Sequence, residues 1–223
     1  VENPKVWFVR RSITSISSPS AVPDLKSENS NFKCLYLCAM RKLSMDELNR
    51  KTVAEFRSAD KNPIVVVLDN IRSMHNVGSV FRTADAFLVT SLCLCGYTPR
   101  PPHRDIHKTA LGATETVHWT YNNTTMDAIR MLKQDGYTIW AVEQAEGSIA
   151  LDAFSTTALP DENSLTKIAV VFGNEVSGVD EEVLKHCDGC IEIPQSGMKH
   201  SLNISVAAGI VLWELNRWVR KNR

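Results

Sequence analysis

The order of apolar and polar residues along this chain predicts strands and helices in turn. Ile64 to Leu68 is an unbroken, mostly β-branched run, the pattern of a strand covered on both faces. Similar runs predict strands near 91–94, 117–119, 138–142, 168–172 and 190–193, with helical spacing near 77–87, 124–134 and 179–186. Strands alternating with helices predict an α/β domain, a mostly parallel sheet with helices on both faces. Ahead of the first strand, Ser44-x-x-Glu47 reads as a capping box, and Met45, Leu48, Thr52 and Phe56 follow at helical spacing. A short leading helix over about 44–59 is expected, ended by Asn62-Pro63. Residues 201–213 are apolar almost all round, so this last helix is expected to be buried on most sides. Its continuation carries Arg217, Arg220, Lys221 and Arg223, cations favourable beside a helix C-terminus. No internal repeat is visible.

Composition narrows the class without naming a function. The 223 residues are 43% hydrophobic and 22% charged, ordinary for a soluble globular protein, and no run approaches the ~18 consecutive apolar residues of a membrane span. The formal net charge is +0, so a nucleic-acid partner has to be held by a local basic patch. The cysteines fall as Cys34/Cys38, Cys93/Cys95 and Cys187/Cys190. With no secretory signal ahead of them they read as buried thiols in a reducing, cytoplasmic setting, and Cys187-x-x-Cys190 has no matching second pair for a metal. Residues 1–31 are Ser-rich and carry Arg10 and Arg11, faintly like a transit segment, but Glu2, Asp24 and Glu28 are acidic. The expected organisation is a poorly ordered extension over 1–43 and one domain over 44–223.

Three stretches concentrate hydrogen-bonding residues. Asp69 to Ala84 follows the first strand, with Asn76 placed to cap a helix and Arg82 about two turns in. It reads as a cap with a solvated Arg, or as a site. Gly173-Asn174-Glu175, with Ser177-Gly178, follows a strand end. It is either ordinary turn chemistry or a backbone edge that reads a base, with Glu175 as an added acceptor. No G-x-G-x-x-G or G-x-x-x-x-G-K-[ST] pattern is present. Arg100-Pro101-Pro102-His103-Arg104-Asp105-Ile106-His107-Lys108 is a basic, proline-rich loop. It is a solvated surface or a phosphate contact made by Arg100, Arg104 and Lys108.

Asn76-x-Gly78-x-x-x-Arg82-Thr83-Ala84, Phe172-Gly173-Asn174-Glu175, and Ile193-Pro194 followed by Ser201-Leu202-Asn203-Ile204-Ser205-Val206-Ala207 together resemble the three motifs of the SpoU/TrmH family of RNA ribose methyltransferases, in the SPOUT class. The resemblance covers about residues 62–217. It implies an α/β fold with a C-terminal deep trefoil knot, an exception to the rule that chains do not thread loops. It implies S-adenosyl-L-methionine as cofactor, a homodimer that completes the site, and methylation of a ribose 2′-hydroxyl of tRNA or rRNA. By motif position the cofactor contacts fall on Gly173, Ile193 and Leu202, and catalytic or positioning roles on Asn76, Arg82, Glu175, Ser201 and Asn203. Arg82 is expected as a cation that lowers the hydroxyl's proton affinity, because an Arg side chain stays protonated. A non-catalytic RNA-binding protein on the same fold and a nucleotide-binding enzyme acting on a small metabolite are the alternatives. Loss of Arg82 or Asn203 would favour the first, and the second has no need of the Arg100–Lys108 patch; all are present.

Overall fold

A computed structural model of the chain describes residues 41–44, 46–157, 166–198 and 201–222. Nearly all of the extension expected over 1–43 lies outside these residues. The chain divides into two units, Val1–Leu48 and Asn49–Arg223. In the first, a 3-10 turn spans Asp46–Leu48, and Glu47 accepts from the Ser44 N–H at 2.8 Å and pairs with Arg41 at 2.5 Å. The single helix expected over 44–59 is therefore not formed. Asn49 sits at φ 44, a left-handed conformation that no helix interior accepts. The helix that does form, α1 (Val53–Ser58), starts at Thr52, whose side chain and Glu55 complete a reciprocal capping box.

The second unit is built on seven strands, β1 (Asn62–Asp69), β2 (Val89–Cys95), β3 (His118–Asn122), β4 (Thr138–Val142), β5 (Ile149–Ala150), β6 (Ile168–Phe172) and β7 (Gly189–Glu192). They pair in the order β3-β2-β1-β6-β4-β7-β5, every pair parallel. Each strand read from the sequence is found within a few residues of its expected place. The two-residue β5 is additional and pairs Ile149 with Ile191. Pro63 lacks an N–H, and the β1–β2 register is irregular between Asn62 and Val65, where that donor is missing.

Alternation along β1 assigns its side chains to two cores. Ile64, Val66 and Leu68 face Val77, Val80 and Phe81 of α2 (Met74–Ala86) and Val211, Leu212 and Leu215 of α8 (Ile204–Lys221). Val65 and Val67 face Ala128, Ile129 and Leu132 of α5 (Thr125–Gln134) and Val183 of α7 (Glu181–Lys185). Helices thus cover both faces, as the continuous apolar β1 run requires, and each fully buried Val, Leu or Ile contributes about 1.5–3 kcal/mol. A buried amide pair fixes α8 on the sheet: Asn62 Nδ2 donates to Asn216 Oδ1 at 2.9 Å. Between β2 and β3 lie α3 (Arg104–Ala110) and α4 (Ala113–Thr116), and α6 (Leu151–Thr157) follows β5.

α8 departs from its expected burial. Val206, Ile210 and Trp213 are 49, 38 and 55% exposed, an i, i+4, i+7 stripe on one side of the helix. The opposite side packs on the core.

Candidate active site

The C-terminal ends of β4, β6 and β7 open on a cavity of about 460 Å³, closed by the segment that enters α8. Such a crevice outside the carboxyl ends of strands is where open α/β sheets bind ligands. Gly173, Ile193 and Leu202 line it, and so do Glu175, Ser201 and Asn203. The apolar wall comes from Val142, Phe172 and Ile204, and the polar one from Glu143, Gln144 and Gln195. The volume and mixed lining fit a nucleoside-sized ligand.

Gly173 is needed for the loop itself. A Cβ there would run into the backbone of Gly178 and Val179, because Asn174 and Gly178 exchange both backbone hydrogen bonds at 2.8 and 2.9 Å. Close approach of the chain to itself is thus reason enough for a glycine at this position.

Asn76, Glu175 and Asn203, one residue from each motif, form a single hydrogen-bonded chain. Helix α2 begins at Ser73, whose hydroxyl accepts from Asn76 N–H at 3.3 Å. Asn76 is therefore not the cap but lies inside the first turn, 8% exposed. Its Nδ2 donates to Glu175 at 2.9 Å, and its Oδ1 accepts from Asn203 Nδ2 at 3.1 Å. Asn203 in turn caps α8, accepting from Ser205 N–H at 2.9 Å. A carboxylate accepts only, so Asn76 must turn its nitrogen to Glu175, which leaves its oxygen for Asn203.

Glu175 also accepts from the backbone N–H groups of Arg72 at 2.9 Å and Ser73 at 3.1 Å. Partial burial pushes its carboxyl up, but these amides and Asn76 outweigh that and leave it below the ordinary glutamate value. It is an anion at the positive end of α2, and its lowered carboxyl makes it a weak proton acceptor.

Ser201 is exposed on the cavity rim. Arg82 is exposed on α2 and has no hydrogen bond or ion pair among the described residues. Six positions on from Asn76, it lies roughly 9 Å along the helix and about 120° around it. The fold brings Arg82 near neither the amide chain nor the cavity lining.

The basic stretch is only partly a loop. His103 caps α3, its Nδ1 accepting from Asp105 N–H at 3.2 Å, so Arg104 to Lys108 are helical. Lys108 pairs with Asp105 at 2.7 Å, Arg100 lies 4.0 Å over the ring of Tyr121, and Arg104 has no ion pair among the described residues. Cys93, Cys95 and Cys190 are buried free thiols, and burial pushes the thiol of the partly buried Cys187 up to about 11. Among the described residues no group of His, Cys, Asp or Glu is gathered as a metal would require. No described helix is long and apolar enough to cross a membrane.

Two site residues have roles that the sequence reading did not assign them. Asn174 ties the loops together, its Nδ2 donating to the Asn70 carbonyl at 2.7 Å and its Oδ1 accepting from Val176 N–H at 2.9 Å. Glu143, in the cavity wall, accepts from Val179 N–H at 3.1 Å. A polar residue just after a buried strand was the available signal for both.

Comparison with known proteins gives concordant matches. The model of the SpoU rRNA Methylase family matches residues 63–213. A tRNA (guanosine(18)-2'-O)-methyltransferase of Thermus thermophilus is 32% identical over 174 residues, which are 77% of this chain and 83% of that protein. The 23S rRNA (guanosine-2'-O-)-methyltransferase RlmB of Haemophilus influenzae is 32% identical over 171 residues, 77% of this chain and 66% of that one. Among solved structures, an AdoMet-bound rRNA methyltransferase from Sinorhizobium meliloti superposes with a TM-score of 0.63 at 29% identity. That match covers 73% of this chain and 59% of the other, so this chain spans under two thirds of both rRNA enzymes.

Proposed function

This chain belongs to the SpoU rRNA methylase family, and from that premise we propose that it is an S-adenosyl-L-methionine-dependent enzyme that methylates a ribose 2′-hydroxyl of tRNA or rRNA. The observation that carries the reading is the convergence of Asn76, Glu175 and Asn203 beside a cavity lined by Gly173, Ile193 and Leu202. Guanosine is the nucleotide to examine first, since both curated relatives are named for it.

The cofactor supplies an electrophilic methyl group on a sulfonium. Gly173, Ile193 and Leu202 would hold it, in a cavity whose volume and mixed lining suit it. Reaction requires the ribose oxygen in line with that methyl, loss of its proton, and stabilisation of the developing alkoxide. Asn76, polarised by the Glu175 carboxylate, and Asn203 keep the α2 and α8 N-termini in fixed register at the cavity rim. Glu175 acts as a positioning residue. Ser201 and Arg82 contact the RNA, with Arg82 as the cation that favours the alkoxide.

Arg82 is outside the cavity lining of its own chain, which favours a site completed by a second copy. The exposed Val206, Ile210 and Trp213 stripe of α8 supplies an apolar surface for a second copy. Trp213 also packs edge-on against Phe87 with ring centroids 6.1 Å apart, so the patch is already ordered. The chain after β7 is inferred to form the family's knot, and Arg100, Arg104 and Lys108 to meet RNA phosphates. The buried free thiols accord with a reducing, cytoplasmic setting.

Incubation with labelled S-adenosyl-L-methionine and pooled unmodified tRNA and rRNA, followed by nucleotide mapping, tests the reading. Label in a 2′-O-methylated nucleotide is expected. RNA binding without transfer would favour a non-catalytic RNA-binding protein instead.

A further inference from the structure

The connector leaving the C-terminal end of β2 is held more tightly than a solvated loop requires. Gly96 turns it at φ +61 against the Asn70 side chain, and Tyr97 N–H donates to Asn70 Oδ1 at 3.2 Å. Thr98, 2% exposed, accepts from Ile71 N–H and donates to the Leu68 carbonyl, both at 3.0 Å. Between these anchors Tyr97 is 62% exposed. Its hydroxyl is nevertheless fixed, accepting from Asn174 Nδ2 at 2.8 Å. An aromatic side chain held at backbone and hydroxyl has lost its rotamer freedom without the burial that ordinarily offsets that loss.

Its surroundings indicate what the ring faces. Asn174 lines the cavity, so the Tyr97 hydroxyl is one hydrogen bond from the cavity wall. Three positions further, Arg100 lies over Tyr121 at the end of the adjacent strand β3. Neither Arg100 nor Arg104 is paired with a carboxylate among the described residues. An ordered aromatic face followed along the chain by two arginines without carboxylate partners among the described residues suits a ligand that carries both π-faces and anions, as single-stranded RNA does. An apolar partner would leave the cations unanswered.

We propose that Tyr97 is a stacking platform for an unpaired RNA base next to the nucleotide being methylated, with Arg100 supplying the neighbouring cation. The inference rests on the RNA methyltransferase reading above. Because the ring is ordered before RNA arrives, binding costs little further side-chain entropy. Stacking reads no particular base, so Tyr97 contributes affinity and placement, and sequence preference arises elsewhere.

The test compares Tyr97→Phe with Tyr97→Leu. Both lose the hydroxyl and its bond to Asn174, so the difference between them reports the ring alone. Binding is measured by anisotropy with a fluorescein-labelled, unstructured 20-nucleotide RNA and with total tRNA, and S-adenosyl-L-methionine binding by calorimetry. Tyr97→Phe is expected to stay within a few-fold of the wild-type RNA affinity and Tyr97→Leu to lose roughly tenfold or more, with equal cofactor affinities and melting temperatures in the two variants. Equal RNA affinity of the two variants, when the wild type binds RNA, would overturn the stacking role alone. A wild-type protein that binds the cofactor but neither RNA would overturn the RNA reading and this inference with it.

Discussion

Glu175→Gln is the substitution that tests how the site is held together. In the folded chain one carboxylate oxygen accepts from Ser73 N–H at 3.1 Å and Asn76 Nδ2 at 2.9 Å, and the other from Arg72 N–H at 2.9 Å. Glutamine preserves the shape and one acceptor oxygen but turns an NH₂ group toward one donor. One charge-assisted bond is lost and two become neutral. Charged hydrogen bonds contribute about 1.5–3 kcal/mol and neutral ones about 0.5–1.5 kcal/mol. Glu175 and Arg72 are exposed, so water takes up part of the loss and screens the charge. With the anion at the start of α2 included, the expected cost is about 2 kcal/mol. That is roughly 4–8 °C in melting temperature for a domain of this size. The pH dependence follows from the direction of the shift. The folded carboxyl titrates below the unfolded one, so ionised Glu175 stabilises the fold above the ordinary glutamate range of about 4.3 and loses that effect as pH falls below it. Urea denaturation of both proteins should therefore show the full gap at pH 7 and a narrowing gap in acid. Equal stability at pH 7, or a gap unchanged in acid, would remove Glu175 from this role.

Gly173→Ala places a Cβ against the Gly178–Val179 backbone, so the loop has to shift. A loss of about 1–3 kcal/mol in stability is expected by thermal melting, with weaker S-adenosyl-L-methionine binding by calorimetry, and wild-type values of both would show that the loop yields freely. Arg82→Ala removes an exposed side chain without partners among the described residues, so stability should change by less than about 0.5 kcal/mol. On its mapped RNA kcat should fall by roughly 10²–10³-fold, and Arg82→Lys should recover part of that rate if charge matters more than the planar fork. Replacing Arg100, Arg104 and Lys108 together by Ala should weaken RNA binding and flatten its salt dependence, by roughly 0.7–0.9 in log–log slope for each phosphate no longer neutralised. An unchanged slope would leave these residues as a solvated surface.

The central strands were legible because burial on both faces forces uninterrupted apolar runs such as Ile64–Leu68 and Ile168–Phe172. The elements that escaped were short or polar. α3 starts at His103, a side chain that caps here through a ring nitrogen, and its Arg104-Asp105-Ile106-His107-Lys108 sequence presents one apolar residue to the core. β5 is two residues long and exists because β7 offers it an edge. The Ser44 and Thr52 capping patterns are equivalent as sequence, and only the backbone turn at Asn49 separates them.

The site divides along the same line. Local rules placed the start of α2 within three positions, at Asn76 where Ser73 is the cap, whereas the Asn76–Glu175 and Asn76–Asn203 bonds span 99 and 127 positions. No spacing rule reaches that far, so those residues were identified by motif resemblance and their joint geometry by the fold. α8 shows the converse limit. Its apolar circumference led to an expectation of burial on most sides, yet Val206, Ile210 and Trp213 face outward. An apolar pattern records every surface a helix covers in its working state, including surfaces on another chain. The excess of apolar positions over what one chain buries is what the proposed homodimer would explain, and in that proposal the same second copy would provide a site for Arg82, which its own chain leaves without a partner among the described residues.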